Sequence, residues 1–349
     1  MALMAALRAG VDPDSTTYVS RSPIKLDEPQ YGPPFEVTTY DESSRGNITL
    51  RQATLYSDNA VYIQLALDVG PDKVKQAAWD MGIRSPLEAV PAETLGGLGN
   101  CCSPLEMANA YATIASGGMR NRPTAITKVT FPDGRSELPD RWKVKRARAF
   151  EEGVAAKATE ILEENIIKGT GGKAAIGCPA AGKTGTTDEF TDAWFVGFTP
   201  RLATSVWVGY PGERVQMNGL YFGQNVAGGT FPAAIWGAYM KQAKGRFCGD
   251  FQPPSTPFQS SPFFGKYSTS GGGKGAQTGG GTTDSTFAPA APVAPPAETP
   301  EADGGEDTGG NGNGDGGRQD EGFDPDAYEA PPQPEPDAGD GDGGAQAPG

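Results

Sequence analysis

The sequence predicts an α+β domain followed by a long polar tail, and three observations carry that prediction. Helical stretches with recognisable start and stop signals recur between residues 1 and 168 and again near 231–244. Between them lie three consecutive runs rich in Thr, Val and aromatic residues, joined by short links, the pattern of an antiparallel meander. From residue 251 onward the composition shifts to Gly, Pro, Asp and Glu.

The elements follow in order. Met1 to Gly10 is rich in helix formers and stops at a glycine suited to the position just past a helix end. Leu50 to Leu65 reads as a second helical segment. Gly70-Pro71 opens a helix to about Met81, stopped at Gly82. Ser103 caps the next, with Pro104 at its first position and Glu106 completing a capping box. Met107, Ala110, Tyr111 and Ile114 form its apolar stripe, read as core, and Gly117-Gly118 ends it. A further helix is predicted over 150–168. The strands are one at Lys183, one over Ala193–Thr199 and one over Leu202–Tyr210, the last two parted by Pro200-Arg201. A last helix runs from about Phe231 to Lys244.

Charge divides the chain. Of its 349 residues, those up to Phe264 carry 26 basic and 27 acidic side chains, whereas 265–349 carry 3 and 16 and account for most of the net charge of −14. The tail has too few aliphatic residues to offset chain entropy by burial, so it is predicted to be disordered, a solvated acidic extension rather than a docking segment. No basic patch interleaved with aromatics is visible, which excludes nucleic acid as an expected partner. The chain has no histidine. His-based triads and ordinary zinc or iron sites are therefore ruled out, no metal or cofactor is expected, and Lys, Ser and carboxylates are left to move protons. The four cysteines, Cys101, Cys102, Cys178 and Cys248, lack metal-ligand spacing. Outside the cytoplasm they allow one or two disulfides with three full connectivities; Cys101 or Cys102 with Cys178 is the favoured pairing, and buried free thiols are the alternative.

The segment Ala181-Gly182-Lys183-Thr184-Gly185-Thr186-Thr187 has two incompatible readings. Extended backward to Gly177, it satisfies the phosphate-loop pattern G-x-x-x-x-G-K-[ST]. That loop needs a buried strand before it and a helix after it, so that backbone N–H groups surround the phosphates. Here Gly169-Thr170-Gly171-Gly172 precedes it, and strand-forming residues follow. Read forward, Lys183-Thr184-Gly185 is the third signature of serine enzymes acting on penicillin or D-alanyl peptides, and Ser57-Asp58-Asn59 supplies the Ser-x-Asn element that such enzymes carry on a helical segment. The second reading fits the local structure.

With those motifs stand Gly46-Asn47-Ile48-Thr49-Leu50-Arg51, Ser103-Pro104-Leu105-Glu106-Met107-Ala108-Asn109-Ala110-Tyr111-Ala112, Asp192-Ala193-Trp194-Phe195-Val196-Gly197-Phe198-Thr199-Pro200, Val206-Trp207-Val208-Gly209-Tyr210 and Gly228-Gly229-Thr230. On these residues the chain, from about Met1 to Lys244, resembles the transpeptidase domain of class A high-molecular-weight penicillin-binding proteins. The resemblance implies the penicillin-binding/beta-lactamase-like transpeptidase fold, an antiparallel sheet flanked by helices with a helical lobe. It implies a partial transpeptidase domain over 1–250 and the disordered tail over 251–349.

One departure from the family pattern is expected to matter. The nucleophile should be the serine of a Ser-x-x-Lys motif on a helix, roughly fifty to sixty residues before Ser-x-Asn by the family's spacing, which places it ahead of Met1. The resemblance therefore implies loss of that motif and of the first two sheet strands, leaving three strands with the Leu202–Tyr210 strand on an open, aggregation-prone edge. Ser22-Pro23-Ile24-Lys25 has the right spacing, but Pro29, Pro33 and Pro34 deny it a helix, and it is read as a decoy.

The resemblance assigns roles to seven residues. Ser57 would relay a proton, Lys183 would supply positive charge, and the Thr186 N–H would form half of an oxyanion hole. Asn59, Thr184, Gly185 and Thr187 would bind substrate, Asn59 through its amide, Thr184 through the substrate carboxylate and Gly185 by leaving room along the strand. The implied reaction is cross-linking of peptidoglycan stem peptides ending in D-Ala-D-Ala through a serine acyl-enzyme, inactive in this chain without its nucleophile, with beta-lactams binding weakly or not at all. Alternatives are a same-fold DD-carboxypeptidase or beta-lactamase, and a non-catalytic fragment that binds peptide or partner proteins. The family works on the outer face of the cytoplasmic membrane through an N-terminal anchor. This sequence shows no signal peptide and no apolar stretch long enough to span a membrane.

Overall fold

The computed structural model describes residues 1–97, 102–138 and 143–270. The chain opens with helix α1 (Ala2–Arg8), then strands β1 (Thr17–Ser20), β2 (Ile24–Leu26), β3 (Phe35–Val37) and β4 (Gly46–Thr49). Helices α2 (Leu50–Tyr56), α3 (Asn59–Val69), α4 (Pro71–Met81), α5 (Pro91–Thr94) and α6 (Pro104–Ala115) form the helical lobe. Short strands β5 (Met119–Asn121), β6 (Val129–Thr130), β7 (Ser136–Glu137) and β8 (Arg146–Arg148) lead into the long helix α7 (Glu152–Lys168). The main sheet follows as β9 (Ala181–Thr186), β10 (Asp192–Phe198) and β11 (Ala203–Gly209), and α8 (Phe231–Ala243) closes the element list.

The sheet is antiparallel in the order β11-β10-β9 and has three strands among the described residues. Its pleat sorts the packing. Phe195 on β10 points toward α8, where its ring meets Trp236 edge-on at 5.3 Å, and the Trp236 indole N–H donates to Thr204 O at 3.1 Å. Phe198, on the opposite face, joins the principal core with Met4, Leu7, Ala158, Ile161 and Leu162 from α1 and α7. In the ladder Lys183 lies opposite Val196, so it shares the face of Val196 and Phe198 and is turned toward the helical lobe. β11, the outer strand, is half-buried.

The helix signals are obeyed closely. Ser103 and Glu106 form the predicted capping box, and Gly82 sits left-handed just past α4. Glu106 does more than cap its own helix. Its carboxylate also accepts from the Arg84 and Ser85 N–H groups at 2.7 and 2.8 Å and from the Ser85 hydroxyl at 2.9 Å, tying α6 to the turn after α4. Burial alone would raise this carboxyl, but those bonds outweigh it and hold it at about 2.

Three expectations are corrected. Leu50–Leu65 is not one helix: α2 stops at Ser57, whose φ of 54° and ψ of 47° are left-handed, and α3 restarts at Asn59. The cause is Asp58, whose Oδ1 accepts from Val61 N at 3.0 Å and caps a second helix. The favoured disulfide is also wrong. Cys178 bonds to Cys248 across a Cα–Cα distance of 5.2 Å, because the chain leaving α8 passes back over the loop before β9. Cys102 is disulfide-bonded as well, so the free-thiol alternative fails for all three described cysteines, while Cys101 lies outside the described residues.

The third concerns the tail boundary. Residues 251–270, read with the tail, lie against the domain. Phe251 meets Phe198 edge-on at 5.5 Å, and Phe258, Phe263 and Tyr267 pack on the principal core. Gly153 permits this approach, since a Cβ there would fall 2.4 Å from Phe258 N. Backbone bonds from Ser261 N to Gly10 O at 2.9 Å and from Thr269 N to Thr17 O at 2.8 Å fix the far end. Four aromatics spaced along a Pro/Ser-rich stretch supply the burial that a composition average hides. Residues 271–349 lie outside the described residues.

The Glu106 carboxyl, ordinarily near 4.5, is depressed in the fold, so its stabilisation is present above pH 4.5 and is lost as pH falls toward 2. Glu106→Gln is expected to lower the unfolding free energy by about 2 kcal/mol at pH 7 and by much less at pH 3, measured by urea denaturation.

Candidate active site

A cleft of about 180 Å³ opens between β9 and the helical lobe, lined by the N-terminal turn of α1, the α2–α3 junction, Tyr111 of α6 and the middle of β9. The break between α2 and α3 builds its floor. Because Ser57 is left-handed, its side chain leaves the helix axis and meets Lys183, whose Nζ donates to Ser57 Oγ at 2.7 Å. Asn59, in the first turn of α3, lines the same cleft, as do Lys183 and Thr184. Helix propensity alone would not place a serine this way; a capping Asp between Ser and Asn does.

A buried clamp holds the tripeptide. The Asp58 carboxylate is fully enclosed and accepts from Ser20 Oγ at 2.6 Å and from Arg45 Nη1 at 3.3 Å, besides capping α3. Arg45 also lies over the Tyr56 ring at 4.9 Å and pairs with Asp41 at 2.6 Å. From the same loop, Thr38 O accepts from Asn59 Nδ2 at 3.1 Å. The middle residue of Ser-x-Asn thus anchors the two outer ones, a role the motif itself does not announce.

Lys183 is the electrostatic centre. Its other acceptors are Thr184 O at 3.1 Å and Thr184 Oγ1 at 3.3 Å, and among the described residues no carboxylate pairs with it. Burial pushes the Lys183 ammonium down to about 8. Its hydrogen-bond acceptors among the described residues are only hydroxyl and carbonyl oxygens, and the Met1 amino group, itself a cation when protonated, lines the same cleft, so the site is arranged for an anion arriving from outside.

The remaining predicted residues separate. Thr186 lies further along β9, and its Oγ1 accepts from Gly228 N at 3.0 Å. Gly185 lies beneath the same Gly228, where a Cβ would come within 2.6 Å of Gly185 O. Thr187 is not brought to the cleft. It lies past the end of β9, and its hydroxyl is spent on Thr191 Oγ1 at 3.0 Å and Asp192 N at 2.8 Å, closing the β9–β10 turn. Ser22-Pro23-Ile24-Lys25 runs through a turn into β2, with Lys25 paired to Glu36, so the two side chains never share a helix face.

Two further residues, Asn165 and Thr170, were missed by sequence reasoning. Asn165 is fully buried on α7 and donates to Gly182 O at 2.8 Å, while Thr170 Oγ1 lies 2.7 Å from Thr184 Oγ1. The signal available was Gly169-Thr170-Gly171, a glycine-flanked threonine just upstream of β9.

Residues 1–233 match the penicillin binding protein transpeptidase domain. The chain belongs to that family. It is 30% identical over 239 residues to penicillin-binding protein 1A of Aquifex aeolicus, covering 68% of this chain and 31% of that protein. Against penicillin-binding protein 1A of Neisseria gonorrhoeae it is 35% identical over 248 residues, covering 68% and 30%. The chain thus spans about a third of the length of these curated relatives. Among solved structures it resembles PonA1 of Mycobacterium tuberculosis in complex with penicillin V, with a TM-score of 0.62 and 28% identity over 74% of this chain and 71% of that one. These matches make it a class A type transpeptidase domain with the penicillin-binding fold.

Asp58→Ala removes the α3 cap and leaves the buried Ser20 hydroxyl without its acceptor, while Arg45 keeps Asp41, so it is expected to cost about 3 kcal/mol of stability. Asp58→Asn keeps the cap and an acceptor for Ser20 and should cost about 1 kcal/mol, both read from denaturant midpoints.

Proposed function

We propose that this chain carries the peptide-recognition part of a D,D-transpeptidase that cross-links peptidoglycan stem peptides ending in D-Ala-D-Ala. The observation that carries the reading is the Lys183–Ser57 contact at 2.7 Å, with Asn59 and Thr184 in the same cleft and no anion on the lysine among the described residues. The C-terminal carboxylate of the donor peptide supplies that anion and is held by Lys183, Thr184 and Thr186. Asn59 binds the backbone amide of the donor. Gly185 lets the donor lie along β9 as an added strand.

In the reaction a serine oxygen attacks the carbonyl between the two D-alanines. The C–O bond forms, the C–N bond breaks, and the departing D-Ala amine takes a proton. Ser57, bridged to Lys183, relays that proton and later accepts one from the amine of the second peptide. The Thr186 N–H stabilises the oxyanion.

Ser57 is the relay and not the nucleophile. Its own N–H is committed to Thr54 O at 3.2 Å and the Asp58 N–H to Ala53 O at 2.9 Å, so neither is free to act as an oxyanion donor for it. The only Ser-x-x-Lys in the sequence is the Ser22–Lys25 turn. The chain by itself is therefore read as a binder that forms no acyl-enzyme. The Cys178–Cys248 disulfide supports work in an oxidising compartment, in keeping with the outer face of the cytoplasmic membrane. No described helix is long and apolar enough to cross a membrane.

Calorimetry with a short peptide ending in D-Ala-D-Ala tests the reading. The D,D peptide should bind at least about tenfold more tightly than its L,L isomer, with the preference lost in Lys183→Ala. A fluorescent penicillin should leave no covalent adduct. Equal affinity for both isomers, or an adduct abolished by Ser57→Ala, contradicts the assignment.

A further inference from the structure

Thr184 has more company than the recognition motif requires. Its Oγ1 lies 2.7 Å from Thr170 Oγ1 and accepts from Lys183 Nζ at 3.3 Å. Thr170 Oγ1 in turn lies 3.3 Å from Asn165 Oδ1. Asn165 is fully buried and spends its amide on Gly182 O, one residue before Lys183. The segment is shaped around Asn165. A Cβ on Gly169 would fall 2.4 Å from Asn165 Oδ1 and 2.9 Å from Leu55 O, and one on Gly171 would fall 3.2 Å from Asn165 Nδ2. Between Gly169, which has no room for a Cβ, and the tightly packed Gly171, Thr170 is left exposed, with its hydroxyl directed at the cleft strand.

Hydroxyl protons can be counted here. Thr170 has one proton and two acceptors within reach, Thr184 Oγ1 and the more distant Asn165 Oδ1. Thr184 also has one. If Thr170 donates to Asn165, Thr184 must donate to Thr170 and has nothing for a ligand. If Thr170 donates to Thr184, the Thr184 oxygen is served by Thr170 and Lys183 together, and its own proton is released toward the cleft. An anion beside Lys183 favours the second arrangement, because a charge-assisted bond is stronger than the neutral one it replaces.

We propose that Thr170 is a positioning residue of the carboxylate subsite: by donating to Thr184 Oγ1 it turns the Thr184 proton toward the C-terminal carboxylate of the donor peptide. Asn165 supports the device by fixing the β9 carbonyl beside it and by holding the Thr170 proton while the cleft is empty. This rests on the transpeptidase reading above and adds a specificity determinant to it. The substrate class it selects is a peptide with a free terminal carboxylate over the same peptide capped as an amide.

The test compares a D-Ala-D-Ala peptide acid with its C-terminal amide by calorimetry, on the full chain and on Thr170→Val and Thr170→Ser. The full chain should prefer the acid. Thr170→Val keeps the shape but not the proton and should lose about tenfold in affinity for the acid while leaving the amide unchanged, and Thr170→Ser should restore the preference. A mere packing role would weaken both ligands alike. Equal acid-to-amide ratios in the full chain and a folded Thr170→Val variant overturn the inference. Absence of any acid preference in the full chain instead overturns the functional reading beneath it.

Discussion

The site depends on a single contact between two elements far apart in sequence, the Lys183 ammonium on β9 and the Ser57 hydroxyl at the α2–α3 break. Each side of it is set up by independent local physics. The pleat of β9, fixed by its register with β10, turns Lys183 toward the helical lobe. Asp58, capping α3, forces Ser57 into the left-handed region and out toward the strand. Ordinary helix through 50–65 would carry the serine around the helix surface instead, and the lysine would lose its nearest acceptor. The buried clamp of Arg45 and Ser20 on Asp58 holds the junction from behind.

This arrangement is costly in a consistent direction. A lysine held away from water with only neutral oxygens around it is less stable than one paired to a carboxylate. Among the described residues Arg51 and Lys157 are satisfied internally, Arg51 by Asp14, Glu160 and Glu164. Lys183 is not, and the difference marks where a ligand completes the charge balance. The Asn165–Thr170–Thr184 chain extends the same logic to protons, since it holds one in reserve beside the cation.

Much of the fold was legible because its signals are local. Ser103-Pro104 with Glu106, Gly82 after Met81, and the apolar, aromatic-rich run of Ala193–Phe198 each specify their element without help from the rest of the chain. The pairing of Lys183 with Ser57 was legible only because two short motifs stand in the right order. What escaped was set by distant partners. Thr187 reads like its neighbour Thr186, yet the chain turns between them and spends its hydroxyl on Asp192. Cys178 finds Cys248 because α8 returns over the β9 loop, a fact of topology that spacing does not carry. Phe251, Phe258, Phe263 and Tyr267 look like isolated aromatics in a polar tail until the surface they cover is known. Arg45 carries no motif at all and is identified only by the buried carboxylate it meets.

Lys183 is a desolvated cation with no carboxylate partner among the described residues, and titration of its side chain by NMR on ε-labelled protein measures that state directly. A midpoint near 8 is expected in the free chain, moving upward when a peptide ending in D-Ala-D-Ala is added. A midpoint at the ordinary lysine value of about 10.4, unmoved by the peptide, would contradict it.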